Sequence, residues 1–130
     1  MKNYKDKIVK KKNLLKILGS YPRKKGNKVS MCHGVFDLVH PGHIRHLQFA
    51  KTKSNILVVS ITADLHVNKA DMRPYVPQQL RAENLAALEF VDYVIIDEEP
   101  NPLLNLKYLK PDFFVKGREY VSGKINPKTL

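Results

Sequence analysis

The sequence predicts an α/β fold, a parallel sheet with helices on both faces. Three observations predict it. From residue 28 onward, short apolar runs of strand length alternate with stretches of helical periodicity. Such alternation implies parallel pairing through crossover helices, which then cover both faces of the sheet. The length of 130 residues suits one domain with its own core, and the lone cysteine, Cys32, excludes a disulfide framework.

Each element follows from local pattern. Lys28–His33 is an apolar run that reads as the first strand. Pro41–Lys53 reads as a helix, with proline in its first turn and Ile44, Leu47 and Ala50 on one face. Asn55–Thr62 contains six residues of the kind buried on both sides, a central strand. Gln78–Phe90 is predicted helical, with Leu80, Leu85, Ala86 and Leu88 inward. Tyr93–Asp97 is a strand, Asn101–Leu109 a short helix and Asp112–Lys116 a last strand.

Composition narrows the class. No apolar run approaches the roughly 20 residues needed to span a bilayer. With one cysteine and no apolar stretch of signal-peptide type, a reducing, cytoplasmic setting is expected. The net charge of +11 is concentrated at one end. Residues 1–28 carry eleven basic side chains against Asp6, whereas residues 29–130 carry 12 basic and 11 acidic ones. A nearly neutral body disfavours nucleic acid as a partner. The chain divides into a basic helix and turn (1–27), a main domain (28–120) and a polar tail (121–130). In the leader, Ile8, Leu14, Leu15, Ile17 and Leu18 form a short apolar face among lysines, a solvated amphipathic helix against the domain edge.

Four of the five histidines fall within residues 33–46. The segment His33-Gly34-Val35-Phe36-Asp37-Leu38-Val39-His40-Pro41-Gly42-His43 joins the first strand to the first long helix. Ligands of open parallel sheets bind at the carboxyl ends of strands. Free backbone N–H groups at a helix start, with the dipole behind them, form an anion site. Gly34 permits close backbone approach, and Gly42 leaves room for a phosphate between His40 and His43. Two imidazoles there suit the charge that grows on a leaving pyrophosphate. A metal reading would draw on Cys32, His33, His40, His43 and His46, but no fourth ligand falls into place. Cys32 is expected in the core, and Asp37 is expected to hold the turn rather than a metal.

The stretch from Gly34 to His43 resembles the signature of the cytidylyltransferase-like nucleotidyltransferases. The resemblance implies a Rossmann-like parallel sheet, the nucleotidyltransferase fold. These enzymes transfer a nucleoside monophosphate from a nucleoside triphosphate to a phosphorylated acceptor and release pyrophosphate. Arg73-Pro74-Tyr75-Val76-Pro77, Arg81, Leu85–Asp92 and Leu109–Tyr120 resemble, more narrowly, the heptose 1-phosphate adenylyltransferase domain of ADP-heptose synthases. Glycerol-3-phosphate cytidylyltransferases are next in similarity. They usually carry an arginine where this chain has Glu89 and commonly a tryptophan where it has Tyr120. ATP is therefore expected over CTP, and AMP is the group transferred.

The resemblance implies roles at matching positions. Val35 and Phe36 contact the nucleotide through backbone groups, and Gly34 and Gly42 shape the turn. His40 and His43 bind phosphates and stabilise the transition state. Lys69 and Arg81 complete the catalytic set. Gly117, Arg118, Glu119 and Tyr120 lie beside the base. Magnesium enters mainly on the nucleotide phosphates, with no dedicated metal ligands in the protein. The partners are a nucleoside triphosphate and a phosphorylated small-molecule acceptor, with no membrane, and relatives often form homodimers. The family pattern continues to a further strand and a helix-opening Ser-Thr-Thr-type segment. This chain reaches Leu130 without one, so the fold is expected to lack that C-terminal strand and helix. Two rival readings stay open: a cytidylyltransferase for glycerol phosphate or another phosphorylated alcohol, and a non-catalytic nucleotide-binding module.

Overall fold

The computed structural model of the chain describes residues 3–67 and 74–116. Four strands form one sheet: β1 (Val29–Gly34), β2 (Ile56–Thr62), β3 (Tyr93–Asp97) and β4 (Phe113–Phe114). Their order is β3-β2-β1-β4, and all three pairings are parallel. Four α-helices accompany them: α1 (Lys11–Leu18), α2 (Pro41–Thr52), α3 (Gln78–Ala86) and α4 (Leu103–Leu109).

Side chains of a strand alternate between faces, and the core divides accordingly. Cys32, Leu57, Val59, Ile61 and Val94 pack with Leu47 and Ala50 of α2 and with Ala82, Leu85 and Ala86 of α3. Val29, Met31, Val58 and Ile95 face the other way, onto Leu14 and Leu18 of α1 and Leu109 of α4. Helices thus cover both faces, as the alternation of runs predicts. Cys32 is fully buried, and burial pushes its thiol up to about 12, which suits a core residue.

The chain winds from β1 through β2 to β3 on one side and returns through α4 to place β4 on the other flank of β1. The direction of winding reverses at β1, and open α/β sheets bind their ligands at such a point, here the carboxyl ends of β1 and β4. The opposite end of the sheet is fastened by carboxylates. Asp92 accepts the Leu57 N–H at 2.7 Å and pairs with Lys51 at 2.7 Å. Asp112 accepts the Val29 N–H at 2.8 Å.

Three element predictions need correction. α3 ends at Ala86 rather than Phe90. Leu88 N–H and Val91 N–H bond carbonyls only three residues back, because the chain must turn before Asp92 meets β2. Leu80 is 50% exposed, since the buried face of α3 is centred on Arg81, Ala82, Leu85 and Ala86. β4 is shorter than Asp112–Lys116, although the Asp112 and Val115 N–H groups still bond the carbonyls of Val29 and Met31.

The basic leader packs on this frame. Leu14 and Leu18 are buried, while Ile17 faces outward. Ile8 bridges to Val94 and Val9 N–H bonds the Val94 carbonyl, so the leader covers the open edge of β3. Arg23 is buried and donates to the carbonyls of Leu109 and Lys110, both at 2.7 Å, tying the leader to the end of α4.

Candidate active site

The turn between β1 and α2 is built by close contacts among its own residues. A Cβ on Gly34 would lie 3.0 Å from Cε2 of Phe36, so glycine is what lets the Phe36 ring fold back on the strand end. Phe36 has φ of 50°, a left-handed conformation that a bulky residue seldom adopts. Its buried ring meets His43 edge-on, with centroids 5.3 Å apart. Strain of this kind persists only where the surroundings over-determine it, and it concentrates at functional sites.

Asp37 does what the sequence suggests. It is buried and accepts the backbone N–H groups of Tyr75 and Val76, both at 2.9 Å. The histidine turn is thereby tied to the loop that precedes α3.

The start of α2 is capped by its two histidines. Nδ1 of His40 accepts the Gly42 N–H at 3.0 Å, and Nδ1 of His43 accepts the His40 N–H at 3.3 Å. A backbone N–H only donates, so neither Nδ1 holds a proton. Each neutral ring therefore carries its proton on Nε2. The rings stack, with centroids 3.9 Å apart and planes 28° from parallel. Gly42 has a more specific role than leaving room for phosphate. A Cβ there would lie 2.8 Å from Cε1 and 3.0 Å from Nδ1 of His40, so the absent side chain makes space for the capping imidazole.

The resemblance places Arg81 in the catalytic set, and its guanidinium is bonded by protein groups of three segments. Its side chain is fully buried. It donates to the carbonyls of Val76 at 2.9 Å, Val35 at 2.9 Å and Thr62 at 2.7 Å, and to Oδ1 of Asp64 at 2.6 Å. These bonds join the histidine turn, the end of β2 and the loop before α3. Asp64 is a residue the sequence reading missed. It also accepts the Gln78 N–H at 3.2 Å, while its own N–H donates to Oε1 of Gln78 at 2.8 Å. The available signal was an aspartate just after the central strand, with an arginine opening the next helix.

The structure thus brings together Gly34, Val35, Phe36, His40, Gly42, His43 and Arg81 at one strand end. Lys69, Gly117, Arg118, Glu119 and Tyr120 lie outside the described residues. Among the described residues, no three His, Cys, Asp or Glu side chains gather as a metal site. Cys32 and His33, neighbours on β1, point to opposite faces of the sheet, which separates two of the five candidate metal ligands. Among the same residues, no helix is long and apolar enough to cross a membrane.

The cytidylyltransferase-like family model matches residues 31–128, which include the whole histidine turn. The chain belongs to that family. Its relatives sharpen the similarity. The bifunctional protein HldE of Pelobacter propionicus is 38% identical over 117 residues, covering 88% of this chain and 24% of that protein. HldE of Campylobacter fetus subsp. fetus is 46% identical over 102 residues, covering 77% and 22%. The chain therefore spans about a quarter of the length of these relatives. Among solved structures, the lipopolysaccharide core biosynthesis protein from Thermoplasma volcanium GSS1 superposes with a TM-score of 0.61 and 25% identity. The match covers 79% of this chain and 89% of that one. Within the cytidylyltransferase-like family, then, the chain is similar to bifunctional HldE proteins in sequence and to a lipopolysaccharide core biosynthesis protein in fold.

Proposed function

We propose that this chain is a nucleotidyltransferase that moves AMP from ATP to a sugar phosphate of the heptose 1-phosphate type. An acceptor phosphate oxygen attacks the α-phosphorus of ATP. The bond from the α-phosphorus to the bridging oxygen breaks, and pyrophosphate leaves with that electron pair. The protein supplies no covalent nucleophile. The products are an ADP-sugar and pyrophosphate.

The observation that carries this reading is the double-histidine cap. It fixes both neutral rings with the proton on Nε2, the form that donates a hydrogen bond to phosphate oxygen. Donors set in advance need no reorganisation as charge moves onto the leaving group. Arg81 acts as a positioning residue by holding the carbonyls of Val35 and Thr62. By resemblance, Lys69 approaches the phosphates, and Gly117, Arg118, Glu119 and Tyr120 line the base. By resemblance, magnesium held mainly by the nucleotide phosphates would neutralise charge on the triphosphate. Consumption of ATP fits the cytoplasmic setting expected from the sequence.

The test is pyrophosphate release, screened with ATP and CTP against heptose 1-phosphate and glycerol 3-phosphate at equal magnesium. Release with ATP and the heptose phosphate is expected. Preference for CTP with glycerol phosphate would move the chain to the cytidylyl branch. Nucleotide binding without release from any pair would mark it as a binding module.

A further inference from the structure

A row of polar side chains crosses the sheet beside the histidine turn, on the face covered by α1 and α4. Met31, Val58 and Ile95 belong to the apolar layer of that face. Two residues further along each strand, the same face carries His33, Ser60 and Asp97, with Thr62 ending β2. Nδ1 of His33 lies 2.9 Å from the Ser60 hydroxyl, and Nε2 lies 3.3 Å from the Thr62 hydroxyl. Oδ2 of Asp97 stands 3.9 Å from Nδ1 of His33.

The row is incompletely satisfied. Oδ1 of Asp97 accepts the Glu99 N–H at 2.9 Å, but Oδ2 has no hydrogen-bond partner among the described residues, although Asp97 is 0% exposed. A buried acceptor left without a donor is costly and rare in native proteins. The open end of the row is His33, whose side chain is 12% exposed, together with Thr62 at 7%. That end adjoins Gly34, where the nucleotide turn begins. A carboxylate in the row repels phosphate and accepts from hydroxyl groups.

We infer that this row receives the hydroxyl groups of a polyhydroxylated sugar phosphate, whose phosphate lies toward His40 and His43. His33 and Thr62 touch the sugar; Ser60 and Asp97 are positioning residues that hold the His33 ring. The inference rests on the nucleotidyl-transfer reading for the location of the phosphate, and it adds the residues that hold the sugar of the acceptor.

The experiment is an NMR titration of the full chain, following the ring C–H signals of His33 assigned by comparison with His33→Gln. Heptose 1-phosphate and glucose 1-phosphate are the probes, and inorganic phosphate is the control. A saturable shift with a sugar phosphate and none with inorganic phosphate is expected. Thr62→Val removes one hydroxyl and leaves the backbone carbonyl that Arg81 uses. It should weaken sugar phosphate binding about fivefold or more while ATP affinity is unchanged. Asp97→Asn should move the His33 signals in the free protein and also weaken the sugar phosphate. Signals that stay still with both sugars, or unchanged affinity in Thr62→Val, would overturn the inference. A shift without pyrophosphate release would keep the sugar site and remove the transfer reading; release with His33 unmoved would do the reverse.

Discussion

His40 and His43 cap the helix that carries them, and their rings lie stacked 3.9 Å apart. Each ring takes a backbone N–H on Nδ1, so the same contacts that close the helix start also set both tautomers. Local structure and chemistry are inseparable here. The unpaired N–H groups of a helix start, which usually take a serine or aspartate, are given to imidazoles whose other nitrogen carries the proton.

His43→Ala is expected to lower turnover by about two to three orders of magnitude, the loss typical of one transition-state donor. It also removes the acceptor for the His40 N–H and the edge contact with Phe36. A stability loss of about 1 kcal/mol, comparable to a lost cap, should accompany it. Steady-state pyrophosphate release and a urea melt measure the two effects separately. Turnover within threefold of wild type would remove His43 from the chemistry.

Gly42→Ala separates the site from the fold. The new Cβ would press on Cε1 of His40 at 2.8 Å, and the imidazole is the part able to move. Its capping bond is then lost and its Nε2 swings away. Turnover should fall at least about tenfold, the effect of a misplaced catalytic group. The melting temperature should change by no more than about 3 °C, since alanine suits a helix better than glycine. A variant with wild-type turnover would show that the His40 ring need not be held in place.

Much of this arrangement was legible in the sequence. β2 and β3 follow from apolar runs, and Asp37 reads as a turn residue because it lies between a strand end and a helix start. What was not legible depends on partners distant in the chain. The sequence places Arg81 at the opening of a helix, but nothing local shows that the carbonyls of Val35, Thr62 and Val76 surround it. His33 and Asp97 lie on different strands, and only the parallel register through β2 brings them near each other. The end of α3 is not legible because Ala87-Leu88-Glu89-Phe90 has helical character, and the turn there is set by where β3 must begin.

Arg81→Met should be strongly destabilising. Four of the five guanidinium N–H groups' worth of bonding goes to three carbonyls and Asp64, and a methionine of similar length replaces none of it. Removing the buried partner of several polar groups costs about 3 kcal/mol or more, or roughly 10 °C in melting temperature for a domain of this size. Arg81→Lys should recover little, because an ammonium lacks the planar fork. Differential scanning calorimetry gives the answer. A small shift in both variants would mean that the carbonyls find other donors.

The last expectation is a pH dependence that belongs to His33. Burial lowers its pKa from 6.5 to about 4, so the ring stays neutral in the folded chain where the unfolded chain already binds a proton. Between those values the unfolded state holds more protons, and stability rises with pH. The contribution is complete above pH 6.5, declines as pH falls through the window and is gone below about pH 4. Its full size is at most about 3 kcal/mol. Asp97 acts in the opposite sense. Burial is the main cause that raises its pKa from 3.8, so the folded state binds its proton first as pH falls. That uptake offsets part of the loss just above pH 3.8. Urea midpoints measured from pH 8 to pH 4 should therefore fall in wild type, fall less in His33→Gln and fall more steeply in Asp97→Asn. Equal slopes in wild type and His33→Gln would mean that the His33 ring titrates as it does in the unfolded chain.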